Sequence, residues 1–227
     1  MKLIIANKLY SSWSLRPWML MTALGIAFDE EVIPLYQPDT AERIAKHSPA
    51  GRVPVLIDGE ATIWESLAIM EHLHERFPER GVWPKGTTAR AHARSIANEM
   101  HAGFGALRQA CPMNLGKRMK PKPQSADVMA NVARICELWN EARLKFANGG
   151  GFLFGDFTAA DAMYAPIVTR LDTYQIAVDA PARAYMDAVL GHPAFTAWRI
   201  AALAEPWSVP HYEEGYEAAE TYHHPKT

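Results

Sequence analysis

The chain has 227 residues, 49% of them hydrophobic, which is enough for a sizeable core in one large or two small globular domains. Lysine and arginine number 23 against 25 acids, so a formal net charge of −2 excludes a general pull toward nucleic acid or an anionic membrane, and any anion has to be bound locally. No apolar run reaches the roughly eighteen residues of a membrane span, and the apolar start is too short for a secretory signal, so the cytoplasm is the expected compartment.

In chain order, Leu3-Ile4-Ile5-Ala6 reads as a short strand, Asn7 to Ser12 as a loop, and the next segment as a helix with Leu15, Trp18, Met19 and Ala23 on one face before Gly25 stops it. The junction Tyr10-Ser11-Ser12-Trp13-Ser14-Leu15-Arg16 places three serine hydroxyls where the first-turn N–H groups have no backbone partner. With the helix dipole, such a junction suits a thiolate, carboxylate or phosphate. A serine before a helix also serves as a plain N-cap, and both roles stay open here.

A second strand is expected at Glu31–Leu35 and a short helix at Ala41–His47, ended by Ser48-Pro49-Ala50-Gly51. Val53-Pro54-Val55-Leu56-Ile57 and Ala61-Thr62-Ile63-Trp64, joined at Asp58-Gly59-Glu60, read as an antiparallel hairpin. Glu65 then opens a helix through Phe77 with Leu67, Met70, Leu73 and Phe77 on a buried face. The order βαβ, α, ββα implies a mixed sheet. The segment 78–86, rich in Pro and Gly, reads as a linker, and the chain beyond it has helical rhythm throughout, with helices expected at 88–109, 126–148, 159–174, 182–190 and 194–204. The expected organisation is an α/β domain over 1–80, a linker at 81–87 and an all-helical domain over 88–227.

Phe157-Thr158-Ala159-Ala160-Asp161 is close to a capping box with a hydrophobic staple, a folding signal. Lys117, Arg118, Lys120 and Lys122 sit beside two prolines and read as a solvated loop. Cys111 and Cys136 are isolated, which suggests neither a disulfide framework nor a dithiol centre, and His72 and His74 diverge on a helix, so no metal site is expected.

Ser11-Ser12-Trp13-Ser14-Leu15-Arg16, Arg52-Val53-Pro54-Val55-Leu56, Glu65-Ser66-Leu67-Ala68-Ile69 and Gly155-Asp156-Phe157-Thr158-Ala159-Ala160-Asp161, in this order and spacing, resemble the soluble glutathione transferases over essentially the whole chain. The serine-rich stretch is most similar to the zeta class, which includes maleylacetoacetate isomerases and places a cysteine where Trp13 stands. The resemblance implies a thioredoxin-like first domain, a helical second domain, a homodimer, and glutathione as co-substrate with no metal. It implies Ser11, with Ser12 as runner-up, as the hydroxyl on the glutathione thiolate. Trp13, Arg52, Val53, Pro54, Glu65 and Ser66 are then the glutathione-binding residues, Val53 pairing with the peptide in strand fashion and Glu65 and Ser66 receiving its γ-glutamyl end. Lowering a thiol from a pKa near 8.5 by about two units takes roughly 2.7 kcal/mol. One hydroxyl donor supplies about 1.5–3 kcal/mol and a helix N-terminus about 0.3–1, so no general base is required.

The implied activity is conjugation of glutathione to a small hydrophobic electrophile, with a zeta-like isomerase and a non-catalytic binding module as the alternatives. Met100, His101, Phe104 and Leu107 recur at near-helical spacing, and His101 and Phe104 are the candidates for the electrophile wall; a core stripe gives the same pattern.

Overall fold

The computed structural model describes residues 1–212 and 214–223. Residues 213 and 224–227 of the expected second domain lie outside the described residues. The first 80 residues hold β1 (Lys2–Ile5), α1 (Ser12–Ala23), β2 (Asp29–Val32), α2 (Thr40–Ala45), β3 (Val55–Asp58), β4 (Ala61–Trp64) and α3 (Ser66–Arg76). The sheet order is β2-β1-β3-β4, with β1 parallel to β2 and the two other pairings antiparallel. This is the mixed βαβ, ββα sheet that the pattern of alternating strands and helices predicts.

The second strand starts two residues earlier than expected and ends three earlier. Asp29–Val32 pairs with β1, the N–H of Ile33 still donates to the Ile5 carbonyl at 2.9 Å, and the next residue, Pro34, has no N–H to continue the ladder. Ile33 then packs with Ile4, Ile44 and Val55 in a small core beneath the sheet. On the other face α1, with Leu15, Met19, Leu20 and Met21 wholly buried, lies in the main core.

The helical half comprises α4 (Thr87–Ala102), α5 (Gly105–Ala110), α6 (Ala126–Phe146), α7 (Ala159–Thr173), α8 (Ala180–Leu190) and α9 (Pro193–Leu203). The single helix expected over 88–109 is broken in two. Gly103 is extended, a Cβ there would lie 2.6 Å from the Glu99 carbonyl oxygen, and Phe104 adopts a left-handed φ of 58°. The helical half also carries a two-stranded ribbon, β5 (Lys117–Met119) with β6 (Ala218–Thr221), so part of the basic segment expected as a loop is a strand.

The linker does not float. Val82 and Trp83 are buried, and the Val82 carbonyl accepts the Ala159 N–H at 2.8 Å. α1 packs against α7 and α9, and one continuous core runs from Leu3 in the sheet to Trp198 and Val209 in the helical half. Among the described residues no helix is long and apolar enough to cross a membrane.

Candidate active site

The loop between β1 and α1 is drawn tight by its own backbone. The Asn7 carbonyl accepts the N–H groups of Tyr10 and Ser11, at 3.3 and 2.9 Å, and this turn delivers Ser11 to the N-cap of α1. Ser11 Oγ accepts the Ser14 N–H at 3.4 Å and donates to Ser14 Oγ at 2.8 Å, and Ser14 Oγ also accepts the Ala6 N–H at 3.0 Å. Ser14 is therefore a buried support, whereas Ser11 and Ser12, each 8% exposed, reach the surface of a cleft.

That cleft, about 640 Å3, is walled by Tyr10, Ser11, Ser12 and Trp13 on one side and by Arg108, Met113, Arg170 and Tyr212 on the other. A second cleft of about 360 Å3 adjoins it, sharing Trp13, Arg52, Val53 and Arg108, and is completed by Pro54, Trp64, Glu65, Ser66 and His101. The structure thus gathers residues from three separated segments, 11–13, 52–54 and 65–66, onto one continuous surface. The Val53-Pro54 peptide bond is cis, and both residues line the smaller cleft. Glu65 has a left-handed φ of 68°, rare for a residue with a side chain and found where surrounding structure holds the backbone to a task. It precedes α3, whose first residue, Ser66, is 1% exposed.

Behind Ser66 stands Arg16. This arginine is 1% exposed, donates to Ser66 Oγ at 3.4 Å, and keeps its Nε buried without a partner among the described residues. Its guanidinium carbon lies 3.8 Å from the centre of the Trp13 ring, and that of Arg108 lies 4.7 Å from the same ring, so Trp13 is held by two cation–π contacts. His101 meets Trp13 edge-on at 5.2 Å and places Nε2 3.7 Å from Glu65 Oε2. Burial and then Arg16 pull the His101 imidazole below its ordinary pKa, against Glu65.

The site is rich in positive charge. Burial, and after it Arg170 and Arg108, push the Arg16 guanidinium below its usual range, and burial lowers Arg170 to about 10. Arg170 is anchored by its Nε on the Cys111 carbonyl at 2.9 Å, and Arg108 by the carbonyls of His101 and Gly103 at 3.3 Å each.

Of the two residues expected on the electrophile wall, His101 lies in the smaller cleft beside Glu65. Phe104, only 8% exposed, is packed in the main core with Met100 and Leu107. The break after Ala102 takes Phe104 out of the helix and into a turn, so that stripe is core rather than wall. Arg108, Arg170 and Tyr212 come from distant segments and carry no local signal in the sequence, and nothing next to Arg16 in the chain marks it for the site. Among the described residues no group of three or more His, Cys, Asp or Glu side chains is placed to hold a metal ion.

Two family models match the chain: Glutathione S-transferase, N-terminal domain, over residues 10–76, and Glutathione S-transferase, C-terminal domain, over residues 122–201. A dichloromethane dehalogenase of Methylorubrum extorquens is 41% identical over 95 residues, covering 38% of this chain and 33% of that protein. A probable maleylacetoacetate isomerase of Caenorhabditis elegans is 32% identical over 103 residues, covering 44% and 48%. The chain thus spans less than half the length of each of these curated relatives. A crystal structure of a glutathione transferase homologue from Burkholderia gl BGR1, with bound glutathione, superposes with a TM-score of 0.67 at 19% identity, covering 88% of this chain and 97% of that one, which establishes the fold.

Proposed function

We propose that this chain, which belongs to the glutathione S-transferase family, binds glutathione in the smaller cleft and turns its thiolate on an electrophile lodged in the larger one. The convergence of Ser11–Trp13, Arg52–Pro54 and Glu65–Ser66 on two adjoining clefts carries this reading. Val53 offers strand-like pairing to the cysteinyl unit, Glu65 receives the γ-glutamyl ammonium, and Ser66, backed by Arg16 at the start of α3, receives its carboxylate.

The thiolate then meets the N-terminus of α1. Ser11 is the better donor because its oxygen already accepts the Ser14 N–H, which polarises its own hydroxyl. Donation to sulfur needs only that the Ser11–Ser14 hydrogen bond reverse, with Ser14 becoming the donor and no heavy atom moving. Ser12 is the runner-up. Trp13, where the zeta pattern has cysteine, is a wall rather than a thiol, so the chemistry rests on glutathione's own sulfur. The sulfur forms a bond to carbon and the leaving group departs with its electron pair.

The larger cleft combines apolar surface from Tyr10, Met113 and Tyr212 with Arg108 and Arg170, which suits a hydrophobic electrophile bearing an acidic group. This charge favours a second reading, a glutathione-dependent isomerase of an organic acid, in line with the name of the Caenorhabditis relative. In that case the thiolate adds and is later expelled, and glutathione is regenerated. The working unit is a cytoplasmic homodimer.

The test is turnover of glutathione with pairs of electrophiles that differ only by a carboxylate. The acid of each pair should be preferred, and Arg108→Met should reduce that preference about tenfold or more. Loss of free thiol marks conjugation, and unchanged thiol with altered substrate marks isomerisation. Glutathione that binds with the pKa of the free thiol and reacts with nothing overturns the catalytic reading in favour of the binding module.

A further inference from the structure

The loop that carries Ser11 and Ser12 is held from the far end of the chain. Its residues Asn7, Lys8, Leu9 and Tyr10 are all buried, so their polar groups need partners within the protein. Two N–H groups in succession, those of Lys8 and Leu9, donate to one carboxylate, Glu205, at 2.7 Å to Oε1 and 3.1 Å to Oε2. The carbonyl between them, that of Lys8, accepts the indole N–H of Trp198 on α9 at 3.0 Å. The Leu9 carbonyl accepts the Leu115 N–H at 3.2 Å. The Lys8 ammonium pairs with Glu30 and lies 5.4 and 5.7 Å from the rings of Trp18 and Trp198.

Glu205 is itself fixed. It comes just after α9, and its carbonyl is bonded to the His223 imidazole at 2.7 Å, while the N–H groups of Tyr222 and His223 both donate to the Gly116 carbonyl. Gly116 has no room for a side chain, since a Cβ there would lie 2.7 Å from His223 Cβ. The C-terminal segment, the ribbon region and the serine loop therefore form one braced unit.

We infer that Glu205, with Trp198, is a positioning residue for the glutathione chemistry: the carboxylate holds the turn Lys8–Leu9 so that the Ser11 hydroxyl and the first N–H groups of α1 aim at the sulfur. Neither residue lines either cleft, so each acts only through the loop. The inference rests on the reading of the site as a glutathione site. Two donors on a single carboxylate make a rigid, charge-assisted clamp, and hydrogen bonds to sulfur fall off with misalignment of a few tenths of an ångström and tens of degrees.

The test uses the whole protein with Glu205→Gln, which keeps size and one acceptor but presents an amide NH2 to the other loop N–H, and with Trp198→Phe, which removes the indole donor together with part of a buried ring. Each is titrated for the thiolate absorbance of bound glutathione against pH, for kcat and KM, and for affinity toward S-methylglutathione, which has no thiol to ionise. The expected result is a thiol pKa raised by about one unit, a kcat/KM at neutral pH about tenfold lower, and an S-methylglutathione affinity unchanged within about twofold. A folded Glu205→Gln protein whose bound thiol titrates like that of the wild type overturns the inference and leaves Glu205 as a strut between the two halves. If that variant does not fold, Trp198→Phe decides by the same measurement. A wild type that leaves the bound thiol at its free pKa overturns the catalytic reading of the site, and this inference with it.

Discussion

Ser11, Ser12 and Ser14 show how neighbouring residues of one kind divide their work. Ser14 is fully buried and takes the Ala6 N–H, so it ties the end of β1 to the start of α1, while Ser11 caps the helix and faces the cleft. Ser11→Ala should raise the pKa of bound glutathione by about one to two units, because one hydroxyl donor to an anion is worth about 1.5–3 kcal/mol and one unit corresponds to 1.36. Ser12→Ala should do less. Thiolate absorbance of the complex against pH reads both, and a shift confined to Ser12→Ala would transfer the role. The serine cluster was visible in the sequence, but which hydroxyl is committed to the fold was not, since that depends on a contact with Ala6 across the loop. Arg16 was equally silent. Its burial comes from the covering of α1 by α7, an element almost 150 residues downstream.

At the scale of elements, the start of α7 was fully legible and the end of α4 was not. The capping segment behaves as its sequence predicts: Asp161 Oδ2 accepts from the Thr158 N–H and hydroxyl at 2.9 and 3.1 Å, and Oδ1 accepts the Leu153 N–H at 3.0 Å. Burial nevertheless pushes this carboxyl up to about 6, against those hydrogen bonds. Because the folded-state pKa lies above the unfolded value near 3.8, the folded protein binds a proton in that window that the unfolded chain does not. The stabilisation from Asp161 is therefore greatest in acid and declines as pH rises through about 6. Asp161→Ala, which strands two backbone N–H groups, should cost about 2–4 kcal/mol at pH 7 and more at pH 5, by denaturant unfolding of both proteins. A cost independent of pH would show that the carboxyl does not titrate in this range. The break at Gly103 escaped the helical pattern because the residues on both sides of it are apolar at helical spacing, and only the close approach of the Glu99 carbonyl demands a glycine there. The β5–β6 ribbon escaped for a related reason: its two strands lie a hundred residues apart and are too short to alternate visibly.

For the molecule as a whole, the expected assembly is a twofold dimer in which the sheet domain of one subunit meets the helical domain of the other. Trp64 on the edge strand β4 and Leu144 and Ile200 on outer helix faces are large apolar side chains left 42, 88 and 67% exposed in the single chain. A stable interface of this kind buries on the order of 1,600 Å2. Sedimentation at micromolar concentration should give twice the 25.3 kDa of one chain, and a clean monomer would refute the dimer.

By itself the sequence determined the order of the elements, the all-but-complete separation into a sheet half and a helical half, and the three short segments that meet in the clefts. Those properties are local: hydrophobic period, turn residues, and hydroxyls or proline at element ends act over a few residues. Only the tertiary structure decided the rest. Arg108 and Arg170 come together on the larger cleft with Arg16 buried behind Ser66, His101 turns toward Glu65 while Phe104 enters the core, and Glu205 reaches back to Lys8 and Leu9. Each of these depends on which helix covers which face, and burial, which sets the charge state of such groups, is a property of that packing rather than of neighbours in the chain.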